Sequence, residues 1–214
     1  MLALEGVRKG FPGGGEVLRG ISLTLAPGET LALTGESGSG KSTLMHLAAG
    51  LDLPDEGRVT IGGEETTALG EAGRAALRRG TVGLVFQQFN LIPSLTAGAN
   101  IAFHARLAGR EDPAFTAALA ARLGLTPHLA KYPEELSGGQ QQRAAIARTL
   151  AARPALILAD EPTGNLDEAS AGEVLTLLLE LASETGAALL TVTHSPKVAS
   201  AMSRRLNLSH GQIT

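Results

Sequence analysis

The sequence predicts an α/β fold with a mostly parallel core sheet, an antiparallel β element near the N-terminus and an inserted block of helices. Three observations support this prediction. Short apolar runs typical of buried strands alternate with helical segments along the chain. A glycine-rich loop joins one of these runs directly to a helical segment. Between residues 88 and 153 the sequence changes to alanine-rich helical segments, which indicates a block inserted into the strand–helix alternation.

The first quarter of the chain predicts two antiparallel strands, then a buried strand and a helix. Residues 2–8 alternate loosely between apolar and polar side chains, and residues 17–25 alternate more clearly. The proline–glycine run at residues 12–15 predicts the turn that joins these two strands. Residues 31–34 are an apolar run that predicts a buried strand, and residues 42–49 have the pattern of a helix.

The rest of the chain predicts four helices and further strands. A turn at residues 54–57 precedes a short strand at 58–61, and a buried strand is predicted at 83–86. The alanine-rich helices are predicted at residues 96–107, 113–123 and 140–152. After them we expect a strand at 155–159, a helix at 168–183, a strand at 187–193 and a closing hairpin at 206–213 around Gly211. We therefore divide the chain into a core, residues 1–87 and 154–214, and a helical subdomain, residues 88–153.

The composition excludes several classes of function. The 214 residues are enough for one large domain, or for a core with a subdomain. A net charge of −3 gives no electrostatic argument for binding nucleic acid or an acidic membrane surface. The chain has no cysteine, which excludes disulfides and thiolate metal sites. Charges come too early for a signal peptide, and no apolar run approaches the ~18 residues that span a bilayer. We therefore expect any membrane role to come through a partner.

The most informative segment reads GESGSGKS and fits the phosphate-binding pattern G-x-x-x-x-G-K-[ST]. Glycines let successive backbone N–H groups converge on an anion, and the following helix adds the positive end of its dipole. Lys41 would supply a charge for the β- and γ-phosphates, and Ser42 a hydroxyl for Mg²⁺. A glycine- and serine-rich loop could match by accident, but the strand before it and the helix after it favour nucleotide binding. The predicted phosphate-binding residues are Gly35, Glu36, Ser37, Gly38, Ser39, Gly40, Lys41, Ser42 and Thr43.

Two carboxylates, Asp160 and Glu161, follow the apolar strand predicted at residues 155–159. At the carboxyl edge of a parallel sheet such groups face the ligand crevice. Asp160 is suited to hold Mg²⁺, directly or through water, and Glu161 to orient or deprotonate a water molecule. A buried strand can also end in an acidic loop without any chemical role. The glycine loop in the same chain favours the functional interpretation.

A second candidate anion site lies in the sequence LSGGQQQR at residues 136–143. Ser137 and Gln140 have the S-x-x-Q spacing of a capping box, which predicts the start of a helix. A capping box does not require two consecutive glycines, and Gly138 and Gly139 would expose the amides of that helix start to an anion. Together with the glycine loop and the Asp–Glu pair, this segment closely resembles the signature motif of the ATP-binding cassette (ABC) ATPases. The resemblance covers essentially the whole chain and implies a P-loop NTPase core.

The resemblance extends to five further positions. Phe11 is placed like the aromatic residue that stacks on adenine, and Gln87 like the Q-loop glutamine that contacts Mg²⁺ and the attacking water. Asn165 and Asp167 fall in the segment called the D-loop, and His194 resembles the switch histidine that contacts the γ-phosphate. Plain structural interpretations remain open for three of them. Phe11 could be a strand-end core residue, Asp167 a helix N-cap and His194 the residue before a helix.

Three positions depart from the family's pattern. Ser195 replaces the aspartate that is common after the switch histidine, Asn165 stands where a small residue is frequent, and His210 where Asp or Asn is common. None of these changes removes a catalytic group. Ser195 and Pro196 look like the N-cap and first residue of a helix. Gln88 makes the register of the Q-loop slightly ambiguous, and we assign the role to Gln87.

The resemblance implies that the chain hydrolyses ATP with Mg²⁺. Lys41, Gln87, Glu161 and His194 would be catalytic, while Ser42, Gln87 and Asp160 would arrange the metal. It also implies a homodimer with ATP at the interface, because the signature segment of each copy would close over the ATP held by the other copy.

The resemblance also implies a membrane partner. The sequence FQQFNLIPSLT at residues 86–96 is similar to the lipoprotein-release and macrolide-efflux branch of the family. This similarity implies an integral membrane permease that docks near residues 88–109, with Leu91, Ile92 and Leu95 at the rim of an apolar groove. These side chains could equally pack inside the helical subdomain. The chain would then be peripheral, on the cytoplasmic side of the inner membrane, with no nucleic-acid partner.

Two other functions remain open from the sequence. The first is an ABC ATPase that transmits force to an envelope or cell-division complex without moving cargo, which the sequence barely separates from a transporter subunit. The second is a soluble ABC ATPase for DNA repair, chromosome or ribosome work. That function is disfavoured because this chain has a single cassette and no basic patch.

Overall fold

The structure is a computed structural model that describes residues 1–13 and 15–214. The predicted turn at residues 12–15 includes Gly14, which lies outside this part of the chain. The strands are β1 (Leu2–Phe11), β2 (Gly15–Leu25), β3 (Thr30–Thr34), β4 (Glu56–Ile61), β5 (Glu64–Glu65), β6 (Val82–Val85), β7 (Leu156–Asp160), β8 (Ala188–Val192), β9 (Arg204–Ser209) and β10 (Gln212–Ile213). The α-helices are α1 (Lys41–Ala48), α2 (Glu71–Gly80), α3 (Ala97–Leu107), α4 (Pro113–Arg122), α5 (Gly138–Ala151), α6 (Glu168–Thr185) and α7 (Pro196–Ser200).

The strands form two sheets. The larger has six strands in the order β10-β9-β3-β8-β7-β6, and all its neighbours are parallel except the β9–β10 hairpin. The smaller is antiparallel, in the order β2-β1-β4-β5. The predicted fold class is therefore confirmed. The carboxyl ends of β3, β6, β7 and β8 meet at one edge of the large sheet, where the loops that follow them can converge on a ligand.

Successive side chains of the central strands point to opposite faces of the large sheet, and this divides the core into two layers. Leu31 and Leu33 therefore pack on one side and Ala32 on the other. The side of Leu31 and Leu33 is covered by the small sheet and by α1, whose Leu44 and Met45 are fully buried there. The strands are nearly continuous apolar runs because both faces of the sheet are covered.

The opposite face of the large sheet packs on the helices α3 to α6. Ala32 shares one buried cluster with Ile101 of α3, Leu150 of α5 and Leu178 of α6. Helix α5 is buried over most of its length, so its polar side chains lie inside the protein close to the loops of the large sheet. Among the described residues, no helix combines the length and apolar character needed to cross a membrane.

Strand β5 and helix α2 are absent from the sequence prediction. Helix α2 was not predicted, because only Leu77 of its ten residues is buried and the helix contains two glycines. Its stability comes partly from Glu71, which binds Arg74 at 2.6 Å and Arg78 at 2.8 Å. Helix α5 begins at Gly138, two residues before the helical run predicted at 140–152, and its N-cap is Ser137, as the predicted capping box requires.

Candidate functional site

The glycine loop lies between the end of β3 and the start of α1. Gly35 and Gly40 have φ angles of 147° and 105°, which side chains with a Cβ rarely adopt. A Cβ at Gly35 would lie 2.2 Å from the backbone oxygen of Leu208, and one at Gly40 would lie 2.8 Å from the side chain of Leu18. No side chain of the described residues caps α1, so its first N–H groups are open to an anion.

The ammonium group of Lys41 is folded into this loop. Lys41 is only 7% exposed, and its Nζ donates to the backbone oxygens of Gly35 at 2.8 Å and Glu36 at 2.7 Å. Burial lowers the pKa of Lys41, while the charges of Glu161 and Asp160 act in the opposite direction. The hydroxyl of Ser39 is buried in the same loop without a hydrogen-bond partner among the described residues. The loop therefore holds a buried cation beside donor groups that suit a phosphate.

Asp160 and Glu161 lie opposite the loop, at the end of β7. Burial raises the pKa of Asp160, and the charges of His46, Lys41 and His194 oppose that shift. Glu161 has a φ of 43°, an uncommon conformation for a residue with a side chain and one that clusters at functional sites. The sequence did not reveal His46 as a neighbour of Asp160, because its position on α1 carries no motif.

The carboxylate of Glu161 is held by the loop that follows β8. Its Oε1 accepts the backbone N–H of His194 at 2.7 Å, and its Oε2 accepts the hydroxyl of Thr193 at 3.2 Å. The Nε2 of His194 lies 3.8 Å from Oε1 of Glu161. Two neighbouring strands of the sheet thus fix both the position of this carboxylate and its distance from the imidazole.

These groups line one cleft with a volume of about 550 Å³, a size typical of a small-molecule site. Ten residues predicted from the sequence line it: Ser37, Gly38, Gly40, Lys41, Ser42, Thr43, Gln87, Asp160, Glu161 and His194. Three lining residues were not predicted: Val17, Gly164 and Val192. Apolar periodicity indicates buried positions but cannot distinguish a side chain that faces a ligand from one that faces the core.

The predicted D-loop residues lie beside this cleft. Asn165 and Gln87 form two hydrogen bonds with each other, one of 2.9 Å and one of 3.3 Å. Asp167 caps α6, because its Oδ1 accepts the N–H of Ser170 at 3.0 Å, and this bond lowers its pKa. The predicted N-cap interpretation of Asp167 is therefore confirmed.

The signature segment lies outside the cleft, at the start of α5. Ser137 and Gln140 form the predicted capping box, with bonds of 3.3 Å and 3.0 Å. Ser137 is exposed and Gly138 and Gly139 are partly exposed, so this helix start is accessible from outside the protein. His128 supports it from a neighbouring turn, with its Nε2 3.1 Å from Nε2 of Gln140. No sequence pattern indicated this contact.

Phe11 also lies outside the cleft, at the end of β1. Its ring is 45% exposed, and Nζ of Lys9 lies 5.5 Å from the ring centroid. It borders a neighbouring concave surface together with Gly15 and Glu16 of β2. An exposed ring at this edge is free to stack on a planar group, and its role in binding a base stays a prediction.

Buried polar side chains of α5 connect the helices to the cleft, which the sequence did not predict. Nε2 of Gln142 donates to the backbone oxygen of Pro162 at 2.5 Å, one residue after Glu161. The guanidinium of Arg148 donates to the backbone oxygens of Phe89 at 3.1 Å and Asn90 at 2.6 Å. No local pattern distinguishes these residues from surface polar residues of a helix.

The fold and the cleft together define the class of protein. A P-loop at the head of α1 faces an Asp–Glu pair across the edge of a parallel sheet, and an inserted helical block carries a second helix start suited to anions. This arrangement is that of an ABC ATPase. The sequence profile of the ABC transporter family matches residues 18–164, and the chain belongs to that family. It is therefore an ATP-binding and ATP-hydrolysing protein, as the sequence predicted.

Similar proteins support this assignment over the whole chain. The lipoprotein-releasing system ATP-binding protein LolD of Geobacter metallireducens is 46% identical over 220 residues, which cover 100% of this chain and 97% of that protein. The macrolide export ATP-binding/permease protein MacB of Syntrophobacter fumaroxidans is 43% identical, over 100% of this chain and 31% of its own length. Among solved structures, the ATP-binding cassette MJ0796, as a dimer bound to ADP and phosphate, matches with a TM-score of 0.89 and 37% identity, over 100% of this chain and 96% of that one.

Proposed function

We propose that this chain is the ATP-hydrolysing subunit of a membrane transporter that extracts or exports a substrate such as a lipoprotein, lipid, peptide or drug. The observation that carries the proposal is the cleft in which the P-loop, Asp160, Glu161 and His194 meet. The full-length similarity to LolD supports the lipoprotein-release branch. The decisive experiment reconstitutes the chain with its membrane partner in proteoliposomes and measures ATP-dependent release of a lipoprotein. A complex that hydrolyses ATP without releasing any cargo would favour force transmission instead.

In the proposed reaction the residues of this chain mainly position the triphosphate and a water molecule. The loop amides and Lys41 bind the β- and γ-phosphates, because the ammonium can turn from the backbone oxygens that it contacts to phosphate oxygens. Glu161 orients and polarises the attacking water, and His194 contacts the γ-phosphate. Precise placement of Glu161 is favoured by the two hydrogen bonds that hold its carboxylate.

The donor set of the cleft fits Mg²⁺. The hydroxyl of Ser42, the amide oxygen of Gln87 and the carboxylate of Asp160 are hard oxygen ligands that line one cleft. Burial raises the pKa of Asp160. Its carboxylate forms no ion pair within 4 Å with another described residue. A nearby cation would favour the charged form of a carboxylate in this position. Mg²⁺, when bound, would neutralise charge that develops on the phosphate oxygens.

We propose that two copies of the chain form a homodimer around two ATP molecules. Residues 88–153 would act as the helical subdomain that carries the signature segment, and residues 1–87 and 154–214 as the core. The exposed start of α5 lies outside its own cleft, so a second copy is needed for Ser137 and the following amides to reach a phosphate. The dimeric cassette bound to ADP and phosphate supports this arrangement.

Replacing Ser137 with arginine is expected to leave ATP binding intact and to abolish ATP-dependent dimerisation. The bulky cation would obstruct the surface that approaches the second nucleotide, while the cleft of the same copy is untouched. Loss of the cap should lower the free energy of unfolding by about 1 kcal/mol. Light scattering with ATP in the Glu161→Gln background measures the dimer, and Ser183→Arg, on the exposed end of α6, is the matched control. Dimers that persist in Ser137→Arg would contradict the arrangement.

We propose that an integral membrane permease docks on an apolar groove between α2, β6, α3 and α5. This groove has a volume of about 270 Å³, and its lining includes Val82, Leu84, His104 and Leu107. Burial, and then the charge of Arg148, lower the pKa of His104 to about 4, so its imidazole is neutral at physiological pH. Of the residues that line the groove, His104 and Leu107 lie in the predicted docking region of residues 88–109. The apolar side chains of the lining suit a partner helix. Such a partner would keep the chain at the cytoplasmic face of the inner membrane.

The residues predicted at the groove rim are partly exposed. Phe89, Leu91, Ile92 and Leu95 each retain some exposed surface, and none is fully buried. Leu91 also packs against the main helical core. Both interpretations of the sequence therefore apply to this segment: Leu91 contributes to the core, and the segment leaves apolar surface exposed.

Replacing Leu107 with glutamate is expected to weaken binding of the permease without changing ATP hydrolysis by the isolated subunit. Leu107 is 54% exposed, so the charge costs little in the free subunit, but burial of that side chain against a partner helix would be lost. We expect about a tenfold loss of co-purified permease, because that factor corresponds to the binding free energy from burial of one leucine side chain. Leu51→Glu is the control, since Leu51 is 48% exposed and lies outside the groove. Equal co-purification with both variants would exclude this docking surface.

A further inference from the structure

The side chains of Gln87 and Asn165 form a reciprocal pair, although they lie 78 residues apart. Nδ2 of Asn165 donates to the backbone oxygen of Gln87 at 2.9 Å. Nε2 of Gln87 donates to Oδ1 of Asn165 at 3.3 Å. Asn165 is one of the positions where the chain departs from its family's pattern.

One of these two bonds fixes the direction of the other. A backbone oxygen can only accept, so the end of the Asn165 amide that faces it must be the NH₂ group. The other end of Asn165 is then its oxygen, which can only accept as well. The group of Gln87 that meets this oxygen must therefore be its own NH₂. The backbone carbonyl of Gln87 therefore determines the orientation of both side-chain amides, that of Asn165 and that of Gln87.

The neighbouring backbone agrees with this orientation. A Cβ at Gly164 would lie 3.0 Å from Nε2 of Gln87 and 3.4 Å from Cβ of Glu161, so the nitrogen end of Gln87 is packed against the D-loop. The amide oxygen of Gln87 remains available: within residues 1–13 and 15–214, Oε1 of Gln87 has no hydrogen-bond partner. Gln87 lines the same cleft as Ser42 and Asp160.

We propose that Asn165 is a positioning residue for the metal site, because it orients the amide of Gln87 so that the oxygen is available to a divalent cation. The inference rests on the proposed function, in which Gln87 is one of the Mg²⁺ ligands. An amide oxygen is a ligand for such cations, whereas an amide NH₂ group has no lone pair to offer. Contacts that orient a ligand contribute to metal affinity even though they never touch the metal.

The experiment measures the affinity of the ADP-bound subunit for Mn²⁺, used as a paramagnetic probe, by electron paramagnetic resonance of free Mn²⁺. Asn165→Ala is expected to weaken Mn²⁺ binding about fivefold, the factor that corresponds to one hydrogen bond of ordinary net strength. Gln87→Ala should weaken it at least as much. The double variant should be no weaker than Gln87→Ala, because Asn165 acts only through Gln87.

Controls separate a positioning role from a structural one. Asn165 and Gln87 are exposed, so both variants should keep the melting temperature and the metal-free affinity for ADP. Gln88→Ala, at the adjacent exposed position, should leave Mn²⁺ affinity unchanged. If Asn165→Ala also weakened metal-free binding of ADP, the role would be structural and the inference wrong.

The outcomes also separate this inference from the proposed function. A full effect of Gln87→Ala with none of Asn165→Ala would overturn the inference and leave the proposed function standing. Additive effects in the double variant would overturn it as well, because Asn165 would then act on the metal by another route. If the wild-type subunit bound ADP with no dependence on Mn²⁺, the proposed metal site itself would fail, and the inference with it.

Discussion

Replacing Glu161 with glutamine is expected to reduce ATP turnover by about a hundredfold to ten-thousandfold, the range for loss of a positioned acid–base group. The change keeps the size of the side chain but removes the charge that polarises water. ATP binding should persist, because the residues proposed to hold the phosphates, the P-loop with Lys41, also line the cleft and are unchanged. Steady-state phosphate release measures turnover, and calorimetry with ATP measures binding.

The local structure should tolerate this substitution. The glutamine oxygen can accept the backbone N–H of His194, and the hydroxyl of Thr193 can accept from the glutamine NH₂ group. Glu168→Gln is the matched control, because Glu168 is an exposed carboxylate in the first turn of α6. Turnover within about threefold of wild type in Glu161→Gln would refute the assigned role, since effects of that size fall below those of catalytic groups.

Replacing Lys41 with alanine is expected to weaken ATP binding by about tenfold to a hundredfold, as loss of charged hydrogen bonds to phosphate does. The affinity for adenosine should change much less, because the base and ribose do not depend on this ammonium. Calorimetry with ATP, ADP and adenosine gives the three affinities. The graded loss along this series identifies the phosphates as the group that Lys41 contacts.

Stability should change little in Lys41→Ala. The variant leaves the backbone oxygens of Gly35 and Glu36 without their donor, but it also removes a cation that is only 7% exposed. These two effects oppose each other. Lys131→Ala, which lies outside the cleft, is the control for loss of one positive charge. Unchanged affinity for ATP in Lys41→Ala would contradict the assignment of the phosphate loop.

The order of strands and helices was largely predictable, because the apolar periodicity is regular where both faces of the sheet are covered. The runs around Leu31, Leu158 and Leu190 all became central strands of the large sheet. The helix of residues 71–80 was missed for the opposite reason. Its ten residues include three arginines, two glycines and a single large apolar side chain, Leu77, so it lacks the run of apolar positions typical of a core helix.

Eight of the ten predicted cleft residues lie in motifs that are local and chemically specific, whereas Gln87 and His194 were predicted only from the resemblance to the family. A phosphate requires a glycine loop, a lysine and a helix start in one continuous segment, and the Asp–Glu pair follows a strand directly. The neighbours of these residues were not predictable. His46, His128 and Arg148 act through contacts with residues remote in sequence, and such contacts leave no signature in a single chain.

The sequence by itself determined the fold class, the family and most of the polar groups that line the cleft, since each depends on residues close together in the chain. Only the tertiary structure decided how those groups are held. It placed Glu161 in a left-handed conformation between Thr193 and His194, and it joined Gln87 to Asn165 across 78 residues. Hydrogen bonds between distant segments depend on how the strands stack, and that arrangement is fixed only when the whole sheet has formed.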